Sequence, residues 1–80
     1  MTALTVLYFA SLRDASGVTS EEFQSAAVDL RALYEELQSR HGFVMPVNRL
    51  RVAVNGDFAH WDDGLIEGSE VALIPPVSGG

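Results

Sequence analysis

Leu30, Leu33, Tyr34 and Leu37 fall at i, i+3, i+4 and i+7, a single apolar stripe of helical period. Elsewhere the apolar residues alternate or form short β-branched and aromatic blocks, the pattern of strands. One long helix can cover only one face of the sheet those strands would build. The prediction is an α+β domain whose second sheet face is either polar or put to use.

The helix is predicted over residues 26–41, with Arg31, Glu35, Gln38 and Arg40 on its solvent side and Glu36 and Arg40 as a favourable i,i+4 pair. Ser25 is the expected N-cap, Asp29 suits the positive end of the helix dipole, and Gly42 is placed to stop the helix in a left-handed conformation. Strands are predicted over residues 4–10, 19–24, 50–54 and 70–74, with residues 11–17 as a polar turn. Asn55-Gly56 is the strongest hairpin signal in the chain. That turn sets Val54 opposite Asp57, Ala53 opposite Phe58 and Val52 opposite Ala59. Leu50, Val52, Val54, Ala59 and Trp61 then share the core face, with Arg51, Ala53, Phe58 and His60 on the other. In the last strand Val71 and Leu73 point inward and Ala72 and Ile74 outward. The outer face thus collects Leu7, Phe9, Phe58 and Ile74, more apolar surface than a solvated face carries by default.

The chain has 80 residues, 48% of them hydrophobic, enough for one small core. Net charge is −6, and all five cations are arginines. So acidic a chain is a poor match for a phosphate backbone, so no nucleic-acid partner is expected. The apolar start of the chain is short, lacks a basic leader and alternates like a strand. No membrane association is therefore expected, and a cytoplasmic protein is the default.

Enzyme-like constellations are sparse. There is no cysteine and no lysine, which removes thiolate chemistry and Schiff bases. His60 with Asp62 and Asp63 falls short of a metal site, and no metal or bound cofactor is expected. The serines lie in turns without a base partner, and the glycines form no phosphate-binding fingerprint. The Glu21-Glu22 and Glu35-Glu36 pairs are most simply solvated faces.

The end of the chain offers another kind of chemistry. Pro75 and Pro76 fix φ, present no N–H to a neighbouring strand, and close the last strand. Val77, Ser78, Gly79 and Gly80 follow, and the two glycines present a backbone slender enough to thread a partner's pocket. The six residues beyond Ile74 could reach about 20 Å. A terminal carboxylate becomes an acyl donor once it carries a leaving group such as AMP. The domain is accordingly set at residues 1–75 and a flexible tail at residues 76–80.

Leu7-Tyr8-Phe9-Ala10 with Arg13, the run Arg51-Val52-Ala53-Val54-Asn55, and the closing segment from Gly68 through Pro75-Pro76-Val77-Ser78-Gly79-Gly80 resemble one family. It is the small, sulfur-carrying subunit of molybdopterin synthase, the MoaD type. The resemblance covers nearly the whole chain and implies a ubiquitin-like β-grasp: a five-stranded mixed sheet on one long helix, with a protruding Gly-Gly tail. It implies that an E1-like enzyme, consuming ATP, adenylates Gly80, and that a sulfur donor converts it to a thiocarboxylate. It further implies that the tail enters a large subunit, within a two-plus-two heterotetramer, and gives its sulfur to cyclic pyranopterin monophosphate. Phe9, Phe58, Ile74, Pro75, Pro76, Val77, Ser78 and Gly79 are the expected partner-binding residues. The chain itself would be a sulfur-donating subunit, with catalytic side chains on its partner. Two departures stand out: Ser69 occupies a position usually held by Asp, and Ala27 one where many members have a capping Thr. A sulfur carrier for thiamine or tRNA thiolation, or a ubiquitin-like protein modifier, shares the fold and the first adenylation step, and both remain open here.

Overall fold

The computed structural model describes residues 1–76. Strand β1 (Thr2–Tyr8) is followed by a short helix α1 (Ala10–Ser16), strand β2 (Ser20–Ser25) and the long helix α2 (Leu30–His41). A single 3-10 turn at Val47–Arg49 leads into β3 (Arg51–Val54), β4 (Asp57–Ala59) and β5 (Glu70–Ile74). The five strands form one sheet in the order β2-β1-β5-β3-β4. Only β1 and β5 run parallel; the other neighbours are antiparallel. The sheet is therefore mixed, with the last strand at its centre.

The apolar stripe of α2 packs as its period requires. Leu30, Leu33, Tyr34 and Leu37 are all buried against Leu4, Val6 and Tyr8 of β1, Val52 of β3, and Val71 and Leu73 of β5. The hairpin register is the predicted one, Val52↔Ala59, Ala53↔Phe58 and Val54↔Asp57. Its turn places Asn55 at φ 51° and Gly56 at φ 90°, the left-handed pair that a two-residue hairpin demands. Gly42 stops α2 at φ 74°, its N–H donating to the Gln38 carbonyl at 2.8 Å.

Four expectations are corrected. Strand β1 ends at Tyr8, and the polar stretch after it is helix α1 rather than a turn, so the domain has two helices. Leu12 is the reason: it is the one buried residue of α1, and a helical turn carries it back over the core. Helix α2 starts at Leu30, not at residue 26. Its N-cap is Asp29, whose side chain accepts from the Ala32 N–H at 2.8 Å. The next free donors, the N–H groups of Leu30 and Arg31, go to the carbonyls of Asp63 and Trp61 at 3.0 Å each. Ser25, the expected cap, instead ends β2, buried, with its hydroxyl donating to Glu36 and accepting from the Ala27 N–H. That contact turns Glu36 away from Arg40, so the expected i,i+4 pair is not among the ion pairs of the described residues.

Ser69 is buried, its hydroxyl donating to the Ile66 carbonyl at 2.7 Å. A short side chain that closes its own turn accounts for serine at that position. No helix of the described residues is long and apolar enough to cross a membrane.

Candidate functional site

The sheet registers assemble the outer face row by row. Ser20, Leu7, Ala72, Ala53 and Phe58 lie side by side across all five strands. One step toward the end of β5, Ile74 pairs with Arg51. One step the other way, Thr5 lies between Glu22 and Glu70. The face is thus acidic at one end and apolar at the end where the chain leaves the sheet. Its middle is shallow because Ala72 and Ala53 carry only methyl groups. Phe58 rises from the edge strand β4 with 69% of its surface exposed, and the Arg51 guanidinium sits over its ring, 5.6 Å from the centroid.

At the apolar end lies a groove of about 580 Å³, lined by Phe9, Ala10, Ser11, Met45, Ile74, Pro75 and Pro76. Phe9 continues the extended path of β1 at φ −123°, so it points opposite to the buried Tyr8 and is 44% exposed. Ala10 then takes φ 49°, a left-handed conformation that alanine adopts at some cost, and this bend swings α1 along the groove. Met45 forms the far wall. Its carbonyl accepts from the Tyr34 hydroxyl at 2.6 Å and from Gln38 Nε2 at 3.5 Å, tying the wall to α2. Pro75 is buried and Pro76 exposed, so the first proline belongs to the groove and the second to its rim.

Polar contacts beneath the face hold these walls in place. Glu21 Oε1 accepts from the Tyr8 hydroxyl at 2.7 Å and meets His41 Nε2 at 2.9 Å, with Arg40 Nε at 3.8 Å. Burial works against the Glu21 charge, but the bonds from His41 and Tyr8 and the nearby positive charge outweigh it and hold the carboxyl below its ordinary value. The Tyr8 hydroxyl is pushed up, first by burial and then by the Glu21 carboxylate it donates to. Burial pushes Tyr34 up as well. With both phenols neutral donors and Glu21 an acceptor, Tyr8, Glu21 and His41 pin β1, β2 and α2 together while Tyr34 holds the Met45 loop. Their work is positional. Among the described residues no group of three or more His, Asp or Glu side chains gathers to hold a metal.

Of the expected partner-binding residues, Phe9, Ile74, Pro75 and Pro76 converge on the one groove. Phe58 shares their face but stands two strands from β5, about 10 Å away. Val77, Ser78, Gly79 and Gly80 lie outside the described residues. Ala10, Ser11 and Met45 were not foreseen as walls. Ala10 and Ser11 open α1, where the end of a strand and the start of a turn were expected, and Met45 sits in a loop whose approach to Phe9 has no local signature.

Residues 6–80 match the ThiS family. The chain is 37% identical to the human molybdopterin synthase sulfur carrier subunit, across 94% of this chain and 91% of the relative. It is 31% identical to the Escherichia coli protein of the same name, across 96% of this chain and 99% of the other. In fold it is similar to a Pyrococcus furiosus chain described as molybdopterin converting factor subunit 1. That likeness has a TM-score of 0.80 at 31% identity and covers 96% of this chain and 100% of that one. These structural and sequence likenesses share the ubiquitin-like β-grasp arrangement of a mixed sheet on a helix.

Proposed function

The chain belongs to the ThiS family, and from its likeness to molybdopterin synthase sulfur carrier subunits we propose that it is such a subunit, acting in the cytoplasm in molybdenum cofactor biosynthesis. Its reacting group is the carboxylate of Gly80. An E1-like enzyme joins that carboxylate to AMP, with pyrophosphate leaving ATP. A sulfur nucleophile from a donor then displaces AMP and leaves a thiocarboxylate. The large subunit receives the tail and supplies the catalytic side chains, and the sulfur passes to cyclic pyranopterin monophosphate.

The observation that carries this reading is the groove of Phe9, Ile74, Pro75 and Pro76 at the root of the tail. An apolar surface continuous with the exit of residues 77–80 lets one partner grip the body and receive the end in a single docking event. Val77, Ser78 and Gly79 then line the entry path, and the small glycines keep it narrow. Burial of the exposed parts of Phe9 and Phe58, 44% and 69% of their surfaces, supplies docking energy on the order of 1–2 kcal/mol each.

Incubation with ATP, the E1-like enzyme and a sulfur source should exchange one terminal oxygen for sulfur, read by intact-mass spectrometry and located by digestion to the last peptide. Deleting Gly80 should abolish sulfur transfer and leave the melting transition in place. Full sulfur transfer by the Gly80-deleted protein would overturn the proposal.

A further inference from the structure

Arg51 is a cation set in the apolar end of the outer face. It pairs in register with Ile74 of β5, and its guanidinium covers the ring of Phe58 on β4. A partner that lies over both Ile74 and Phe58 must therefore also cover Arg51. A cation–π contact uses the charge and makes no hydrogen bond, so the guanidinium N–H donors are left unspent among the described residues.

Nothing in the chain neutralises this charge among the described residues. Arg31 has Asp62 at 3.5 Å and Arg40 has Glu21 at 3.8 Å, whereas Arg51 has no carboxylate within 4.0 Å. The outward acids of the sheet, Glu22 and Glu70, lie in the Thr5 row at the other end. Glu70 is four residues from Ile74 along β5, about 13 Å. Small neighbours deepen the effect, because Ala53 and Ala72 offer no polar group to share the load.

We propose that Arg51 is a specificity-determining contact of the docking face, and that the large subunit sets a carboxylate against its guanidinium within the apolar interface. This rests on the docking reading above. Covering a guanidinium without a counter-charge is expensive, so an apolar surface of the right shape but lacking the acid is rejected. A carboxylate there also fixes the rotation of the body about the tail axis, through a paired, directional bond that apolar contact cannot provide.

The test measures affinity for the cognate large subunit by calorimetry, using full-length chains. Arg51→Leu, which keeps bulk and loses charge, should weaken binding by at least about thirty-fold while the melting temperature falls by no more than roughly 8 °C, the cost of the lost ring contact. Arg51→Lys should recover part of that loss. Neutralising one large-subunit carboxylate should cost the parent as much and the Arg51→Leu chain almost nothing. Equal or tighter binding by Arg51→Leu, with Phe58→Ala still impaired, overturns the carboxylate contact and leaves the docking face standing. Unchanged binding by both variants removes the contact and the docking face together.

Discussion

Phe58 already has about a third of its surface covered in the free chain, so docking has only the remaining 69% to gain from. Complete burial of a phenylalanine side chain is worth ~1.5–3 kcal/mol, and 69% of that is ~1–2 kcal/mol. Phe58→Ala should therefore raise the dissociation constant for the large subunit about five- to thirty-fold. The same change should barely touch folding, because the ring is outside the core and its contact with Arg51 is an exposed cation–π pair worth ~0.5–1 kcal/mol. Alanine is a cleaner probe than aspartate here, since a carboxylate at position 58 would stand within reach of Arg51 and neutralise it. Calorimetric titration gives the affinity, and a thermal melt of the free chain gives the control. An unchanged dissociation constant would refute the argument. So would a loss of binding that tracks a loss of folded protein.

Asp29→Ala should cost ~1 kcal/mol in a denaturant titration, because it removes the acceptor of the Ala32 N–H at the start of α2; no change would return the cap to another residue. Glu21→Gln probes the pH response. The Glu21 carboxyl is held below its ordinary value of 4.5 in the fold, so the unfolded chain binds the extra proton first as pH falls. The parent's advantage over Glu21→Gln should be full above about pH 5 and shrink as pH drops through the folded value, as measured by urea unfolding across that range. A difference that is constant with pH would remove the carboxylate from the account.

Local rules were legible where a few adjacent residues decide the outcome. Asn55 and Gly56 accept the left-handed angles of the hairpin turn, and the pairing of Ala53 with Phe58 follows from them. Alternation in β5 placed Val71 and Leu73 in the core and Ile74 outside. What escaped depends on contacts between distant segments. The start of α2 is set by carbonyls of Trp61 and Asp63, about thirty residues later, which take the N–H groups a local cap would have served. Helix α1 contributes a single buried side chain, Leu12, too little for a period to show. The groove is the meeting of three remote stretches, at Phe9, Met45 and Ile74, and only the first and last were recognisable as an outward apolar pair. Arg51 was placed on the correct face by alternation, but its lack of a carboxylate neighbour is a property of the whole sheet.

The tail is the direct continuation of β5, and β5 is held on both sides, by β1 through four register pairs and by β3 through four more. Ladder bonds run across the strands, so tension applied along β5 loads them in shear, all at once, rather than peeling them one by one. The chain end to which the proposed chemistry is assigned is thus anchored on a strand held by two ladders. Had the tail grown from β2 or β4, a single ladder would have carried the same load.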